Sequence, residues 1–438
     1  HACRQACTGQ HLMAHSLTIG FAQLTDCAPL AVAKERGAFA AHGLDVTLKR
    51  FVSWAAMRDA LGTGAIDGAH MLSPMVVASA AGIGPFPGEF TTAFTLNLNG
   101  NAITVSTTLF EAMAQMAPET ISRRPLSAYA LKRVIDQRKE DGKAALTFAH
   151  VYPHSMHALE LRYWLAAAGI DPMRDLNLVV VPPSLMVDAL AAGQIDGYCV
   201  GEPWNNAAVV AGIGRTLITS GEIWSNGPEK VLGVRQDWTE QNKEWHLKLI
   251  AALSETCAWL DDMDNRLTAA QIISTPDYVN APFDEVVGSL TGKNRQTGGE
   301  LRIDMPDFNV FHRYAANFPW RSHAKWILSQ MIRWGEAPDD VDASAIARLA
   351  FRPDIYCEAV ERLGIACPSA DEKMEGAHQH AWLLSDATEP VAMGADQFMD
   401  RRIFDPTNID GYISGFTIRD QRSRLGALDT SQITHLAK

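Results

Sequence analysis

The sequence predicts an α/β protein of two lobes followed by a mainly helical extension. Three observations carry that expectation. Short apolar strands alternate with helical segments through the first half of the chain. One helix–turn–strand motif occurs twice. The length, 438 residues, exceeds the ~250–300 residues that a single core supports.

The elements follow in order. Residues 17–21 are a short apolar strand. Thr25 and Asp26 offer N-caps for a helix over 28–39. Gly37 and Gly43 punctuate its exit, and 44–48 is a second strand. Ser53 caps a helix over 55–61, and 66–71 is a third strand. Strands separated by helices at this spacing are βαβ units, which build parallel sheets.

The repeat comes next. Residues 59–74 read DALGTGAIDGAHMLSP and residues 188–203 read DALAAGQIDGYCVGEP, with eight positions matching at an offset of 129. In each copy a helix ends at glycine, Gly64 or Gly193, where a left-handed residue commonly closes a helix. A strand then starts at Ile66 or Ile195. Two copies of one joint predict two lobes on one plan. Ligands of open α/β sheets sit beyond the carboxyl ends of the strands. Residues 72–74 and 201–204 should therefore reach a cleft between the lobes.

Between the copies, 128–143 reads as a charged helix, 145–149 as a strand, and 157–168 as a helix ended by Gly169. Residues 176–181 are a further strand. After Gly221 the chain returns to the first lobe, and from Trp245 the pattern is mostly helical. The expected domains are 16–106 and 227–310 for lobe 1, 107–226 for lobe 2, and 311–438 for the extension. The extension, rich in tryptophan (Trp320, Trp326, Trp334), is expected to be mainly helical and packed on lobe 1. No low-complexity linker divides these parts, so one compact body is expected.

Composition excludes two classes. Lys+Arg number 38 against 50 Asp+Glu, a net charge of −12. With no basic run longer than two residues, a nucleic-acid surface is not expected. No apolar stretch approaches the ~18–20 residues of a membrane helix; 74–84 is among the longest. The 7 cysteines are Cys3, Cys7, Cys27, Cys199, Cys257, Cys357 and Cys367. Odd in number and scattered, they suggest neither a disulfide framework nor a zinc site, and buried reduced thiols are expected. Residues 1–13 show no charged-then-apolar signal pattern, and Met13 reads as a start. The expected compartment is the cytoplasm, or the periplasm if a signal was removed before His1.

There is no Walker A, GxSxG, HExxH or EF-hand loop, so neither enzymatic activity nor a cofactor is expected. His150, His154, His157 and Glu160 have metal-like spacing, but Pro153 breaks the helix that would align them, and no metal is expected. His157 and Glu160 share a helix face. His157 also marks a helix start, where free N–H groups and the dipole suit an anion. Lys230, in GPEKVLG, is either a surface lysine or a point charge presented to the cleft. Trp54, after Ser53, is either core or a pocket wall with an N–H to donate. Asn101, in NGN, is either a turn former or a ligand amide.

Several segments together resemble a known family: LTIGFAQLTDCAPLAVAKERGAFAAHGLDV (17–46), VSWAAMRDAL (52–61), LNGNAITVS (98–106), LRYWLAAAGIDP (161–172), YCVGEPWN (198–205) and GPEKVLGVR (227–235). In this order they are similar to the nitrate- and bicarbonate-binding proteins of ABC transporters, the NrtA/CmpA family, and within it to the cytoplasmic NasS nitrate sensors. The resemblance spans residues 17–310 and is looser beyond. It implies the type II periplasmic-binding-protein fold and a nitrate or nitrite ligand. It also implies an anion site of Trp54, Asn101, His157 and Lys230, with His154 as the fallback histidine. Asn101 stands where the transporter proteins carry glutamine. Bicarbonate-binding relatives use acidic residues and calcium, and no matching carboxylate cluster is evident.

The resemblance implies two roles. A sensor would sequester an ANTAR-type antiterminator, a NasT-like partner, and release it on binding nitrate or nitrite. The alternative is a substrate-binding subunit that delivers its anion to an ABC transporter permease. The same fold also serves thiamine-precursor synthesis, but no catalytic cluster supports an enzyme here. The absence of a signal pattern favours the sensor.

Overall fold

A computed structural model describes residues 14–295 and 302–420. The readings on Cys3, Cys7 and Met13 fall outside the described residues, as does the end of the expected extension.

Two five-stranded sheets are built on one topology. In the first the order is Leu44–Phe51, His15–Ala22, Gly68–Leu72, Lys230–Arg235, Phe90–Thr95. The first three strands run parallel, and the Lys230–Arg235 strand is antiparallel to both its neighbours. In the second the order is Asn177–Val180, Thr147–His150, Gly197–Gly201, Asn101–Ser106, Gly214–Thr219. Again the first three are parallel and the last two pairings antiparallel. This is the bilobal α/β architecture that the repeat predicts.

The repeated aspartates explain why the motif recurs. Asp67 Oδ2 accepts from the Thr18 backbone N–H at 2.8 Å, and Asp67 N–H donates to Thr18 O at 2.8 Å. Asp196 does the same to Thr147, at 2.8 and 2.7 Å. Each pair clasps the start of a central strand to its parallel neighbour. Thr18 and Thr147 stand at the same offset of 129. Gly64 and Gly193 lie at φ 74° and 65°, so the tight exits use the residue that takes left-handed φ without strain.

The lobe boundary lies earlier than expected. Residues 101–106 were assigned to lobe 1, yet Asn101–Ser106 is a strand of the second sheet. Each half of the chain thus ends by lending a strand to the other lobe. Asn101 pairs with Gly201, and Lys230 with Leu72. The same offset of 129 relates both partners.

The extension also differs from expectation. Arg321–Arg333, Ala343–Ala350 and Pro353–Val360 are helices. Beyond them the described residues form a 3-10 turn at Glu361–Leu363, short strands Trp382–Leu384 and Val391–Met393, isolated bridges, and the short helix Ile409–Ser414. Pro, Gly and Asp punctuate this stretch too often for long helices. Nor does the extension pack on lobe 1 alone. Arg352 N–H donates to Thr92 O at 2.8 Å in lobe 1. On lobe 2, Tyr163 Oη donates to Asp400 at 2.8 Å and its ring stacks on Phe398, while Trp224 Nε1 donates to Asp396 at 3.0 Å.

The cysteine reading needs one correction. Cys27, Cys199 and Cys257 are buried free thiols, but Cys357 and Cys367 form a disulfide in the extension. Ten residues apart in sequence, they are brought together by the turn that ends Pro353–Val360, which spacing alone did not reveal. No described helix is long and apolar enough to cross a membrane.

Candidate functional site

The four residues singled out in sequence converge between the lobes, all buried: Trp54 2% exposed, Asn101, His157 and Lys230 0%. Local structure explains each position. Ser53 Oγ accepts from Ala56 N at 3.1 Å, which starts the helix Trp54–Gly62 with the indole at its first residue. Ser155 Oγ accepts from Ala158 N at 3.1 Å and caps Met156–Ala167, placing His157 in the first turn. Asn101 and Lys230 are the first residues of the two lent strands.

Lys230 is the centre of charge. Its Nζ lies 2.9 Å from Asp26 Oδ2, against Glu229 Oε1, and 5.6 Å from the Trp54 ring centroid. Asp26 Oδ1 lies 3.0 Å from His70 Nε2, close enough to interact electrostatically although the two atoms are not aligned as a hydrogen bond. Burial alone would raise the Asp26 carboxyl, but Lys230 and His70 hold it below the ordinary carboxylate range. Burial opposes the Lys230 charge, yet Asp26 and Glu229 raise its pKa above that of a free lysine.

The opposite wall is nearly uncharged. Asn101 Nδ2 donates to Glu229 Oε2 at 2.7 Å and to Glu160 Oε2 at 3.1 Å. His157 Nε2 stands 3.6 Å from Glu229 Oε1, beyond hydrogen-bond reach. Burial, then Lys230, pushes the His157 imidazole well below its usual pKa, so it is neutral at neutral pH. Burial, then Glu229, pushes the Glu160 carboxyl well up.

Several polar atoms here are buried without partners: Trp54 Nε1, Ser73 Oγ, Asn101 Oδ1 and both His157 ring nitrogens. Unpartnered buried polar groups are rare and costly. The indole N–H, the serine hydroxyl and one His157 nitrogen can donate while Asn101 Oδ1 accepts; with the Lys230 ammonium, these donors make a cradle suited to a small anion.

The fallback histidine lies elsewhere. His154 is half-buried, packs edge-on to Tyr152, and lines a small cleft with Arg58 and Phe86. His150, Nδ1 unpartnered, has its pKa pushed down to about 4 by burial. No group of three or more His, Cys, Asp or Glu set to hold a metal occurs among the described residues. Sequence reasoning missed the carboxylates: Asp26, Glu160 and Glu229 all face this cradle. Two had signals. Glu229 directly precedes Lys230, and Glu160 follows His157 by three, on the same helix face.

Two sheets of one topology with a buried polar cluster between them give the chain the bilobal architecture seen in solute-binding proteins. A family model described as the NMT1-like family matches residues 11–274, and the chain belongs to that family. The nitrate import ATP-binding protein NrtC of Synechocystis is 37% identical over 417 residues, 94% of this chain and 57% of that protein. The chain thus spans a little over half of that relative. The nitrate/nitrite binding protein NrtA of Synechococcus elongatus is 33% identical, over 92% of this chain and 86% of the relative. The crystal structure of the periplasmic nitrate-binding protein NrtA from Synechocystis superposes with a TM-score of 0.80 at 29% identity, covering 92% of this chain and 99% of that one. The chain therefore has the periplasmic-binding-protein fold of NrtA.

Proposed function

We propose that this chain binds nitrate or nitrite and serves an ABC importer as its substrate-binding component. The observation that carries this reading is the cradle itself: one buried ammonium beside an indole N–H, a serine hydroxyl and a neutral histidine, none of the last three with a partner. A small planar monoanion satisfies such donors at little desolvation cost, because it is weakly hydrated. The names of the NrtA relatives, nitrate/nitrite binding proteins, support the same ligand. The likeness to NrtC supports an import system as the setting. The sensor role with an antiterminator partner, expected from the sequence start, draws no support from relatives named for import.

The setting we propose is outside the cytoplasm. The Cys357–Cys367 disulfide favours an oxidising compartment. Fractionation of producing cells tests this; recovery of the chain in the cytosol with both thiols free would count against it. Calorimetric titration with nitrate, nitrite and bicarbonate tests the ligand. Saturable binding of nitrate or nitrite is expected, and tight binding of bicarbonate alone would overturn the assignment.

A further inference from the structure

Glu229 occupies the place at Lys230 that an entering anion needs. Its Oε1 contacts Lys230 Nζ, and its Oε2 accepts from Asn101 Nδ2 at 2.7 Å. Lys230 has no idle charge, since Asp26 Oδ2 lies on it at 2.9 Å as well. Glu160 shares the Asn101 amide from the far side at 3.1 Å. Three carboxylates thus face one ammonium. The other titratable groups around Glu229 are His157, His70 behind Asp26, and the buried Cys199 thiol. Burial disfavours the charged form of each. With Glu160 protonated and Asp26 and Glu229 ionised, the cleft holds one excess negative charge, and a bound monoanion would make two. Uncompensated charge of that size is not tolerated in a closed site.

We propose that Glu229 is an internal counter-ion, that an entering monoanion displaces it from Lys230, and that it leaves the pair as the neutral acid, so each anion enters with one proton. The inference rests on the nitrate reading above. The proton comes from solvent and binds the Glu229 carboxylate; no bond to the anion forms or breaks. Glu160, with no cation against it, keeps its proton throughout, and the two acids titrate as a pair. Asn101 Oδ1, buried without a partner, is an acceptor beside the newly formed acid. Burial already raises the Glu229 pKa against the pull of Lys230, so the proton is taken up readily. The sign follows from linkage. Anion affinity is constant below the pKa of Glu229 in the ligand-free protein and falls about tenfold per pH unit above it.

The test is calorimetry of the full chain with sodium nitrate between about pH 5.5 and 9, in buffers of different ionisation heat. The expected result is a tenfold loss per pH unit on the alkaline side, with one proton taken up per nitrate there. Glu229→Gln should bind more tightly than wild type on the alkaline side, by the factor that wild type has lost there, with pH-independent affinity and buffer-independent heat. Glu160→Gln should keep the wild-type slope. A flat wild-type profile with no proton uptake overturns the inference while leaving the nitrate reading intact. A Glu229→Gln protein that binds more weakly, or still takes up the proton, also overturns it by moving the proton elsewhere, as to His157. Should that variant fail to fold, the wild-type proton count decides alone. Absence of nitrate binding at every pH would remove the nitrate reading and this inference with it.

Discussion

Asn101 and Lys230 occupy equivalent positions of the two lent strands, one offset of 129 apart, paired to equivalent partners Gly201 and Leu72. One is an amide and the other an ammonium. The scaffold around them is symmetric, down to the Asp–Thr clasp at the base of each sheet. Their chemistry is not. A doubled fold gives two walls of matching shape, and a single difference at a matched position makes one wall carry charge and the other carry neutral donors. The anion we propose would thereby meet the charge on one wall only, instead of being shared between two like sites.

The comparison can be broken at its most unequal point. Lys230→Asn makes the two positions alike and leaves Asp26 and Glu229 buried without their cation. Losing one partner of a buried charge pair typically costs about 2–5 kcal/mol, so nitrate binding should weaken thirtyfold or more by calorimetry. Binding within threefold of wild type would show that Lys230 does not hold the ligand. Asn101→Ala attacks the neutral counterpart. It removes the amide that two carboxyls share, and the expected loss is about 1–2 kcal/mol in nitrate affinity.

The symmetric part is sharpened by paired variants. Asp67→Ala and Asp196→Ala each remove a carboxylate that accepts from a strand N–H, and each should lower unfolding stability by about 1–2 kcal/mol in urea. The two costs should match, and the double variant should be additive because the clasps lie in different lobes. A large mismatch would mean the repeat is kept in sequence but not in energetics. The smallest effect is expected from Trp54→Phe. It keeps the ring beside Lys230 and deletes only the unpartnered N–H, so nitrate affinity should fall by about 0.5–1.5 kcal/mol with stability unchanged.

Much of this was legible in the sequence for a physical reason. The helix–Gly–strand joint needs fixed residues at fixed places: Gly64 and Gly193 for left-handed turns, Asp67 and Asp196 for the clasp. Repetition of such residues is visible without coordinates. Ser53 marked one helix start and His157 itself another, which put Trp54 and His157 at helix N-termini in the site. The joint role of the acids was not legible: Glu160 and Glu229 stand beside His157 and Lys230 in sequence, but Asp26 comes from a distant segment, and only the fold brings the three around one ammonium. The lent strand was misassigned for a similar reason. Residues 101–106 look like any strand, and only pairing reveals which sheet they join. The disulfide escaped because pairing depends on a turn that hydropathy does not encode.

The extension touches both lobes, through Arg352 on Thr92 and through Tyr163 on Phe398 and Asp400. Besides the strands that cross between them, the two lobes are therefore joined a second time, through the extension. A change in the angle between the lobes would disturb the aromatic cluster of Trp224, Trp326 and Phe398 and the short backbone seam at Thr92. The extension is thereby a second tie between the two lobes, made by residues far along the chain from those that line the site.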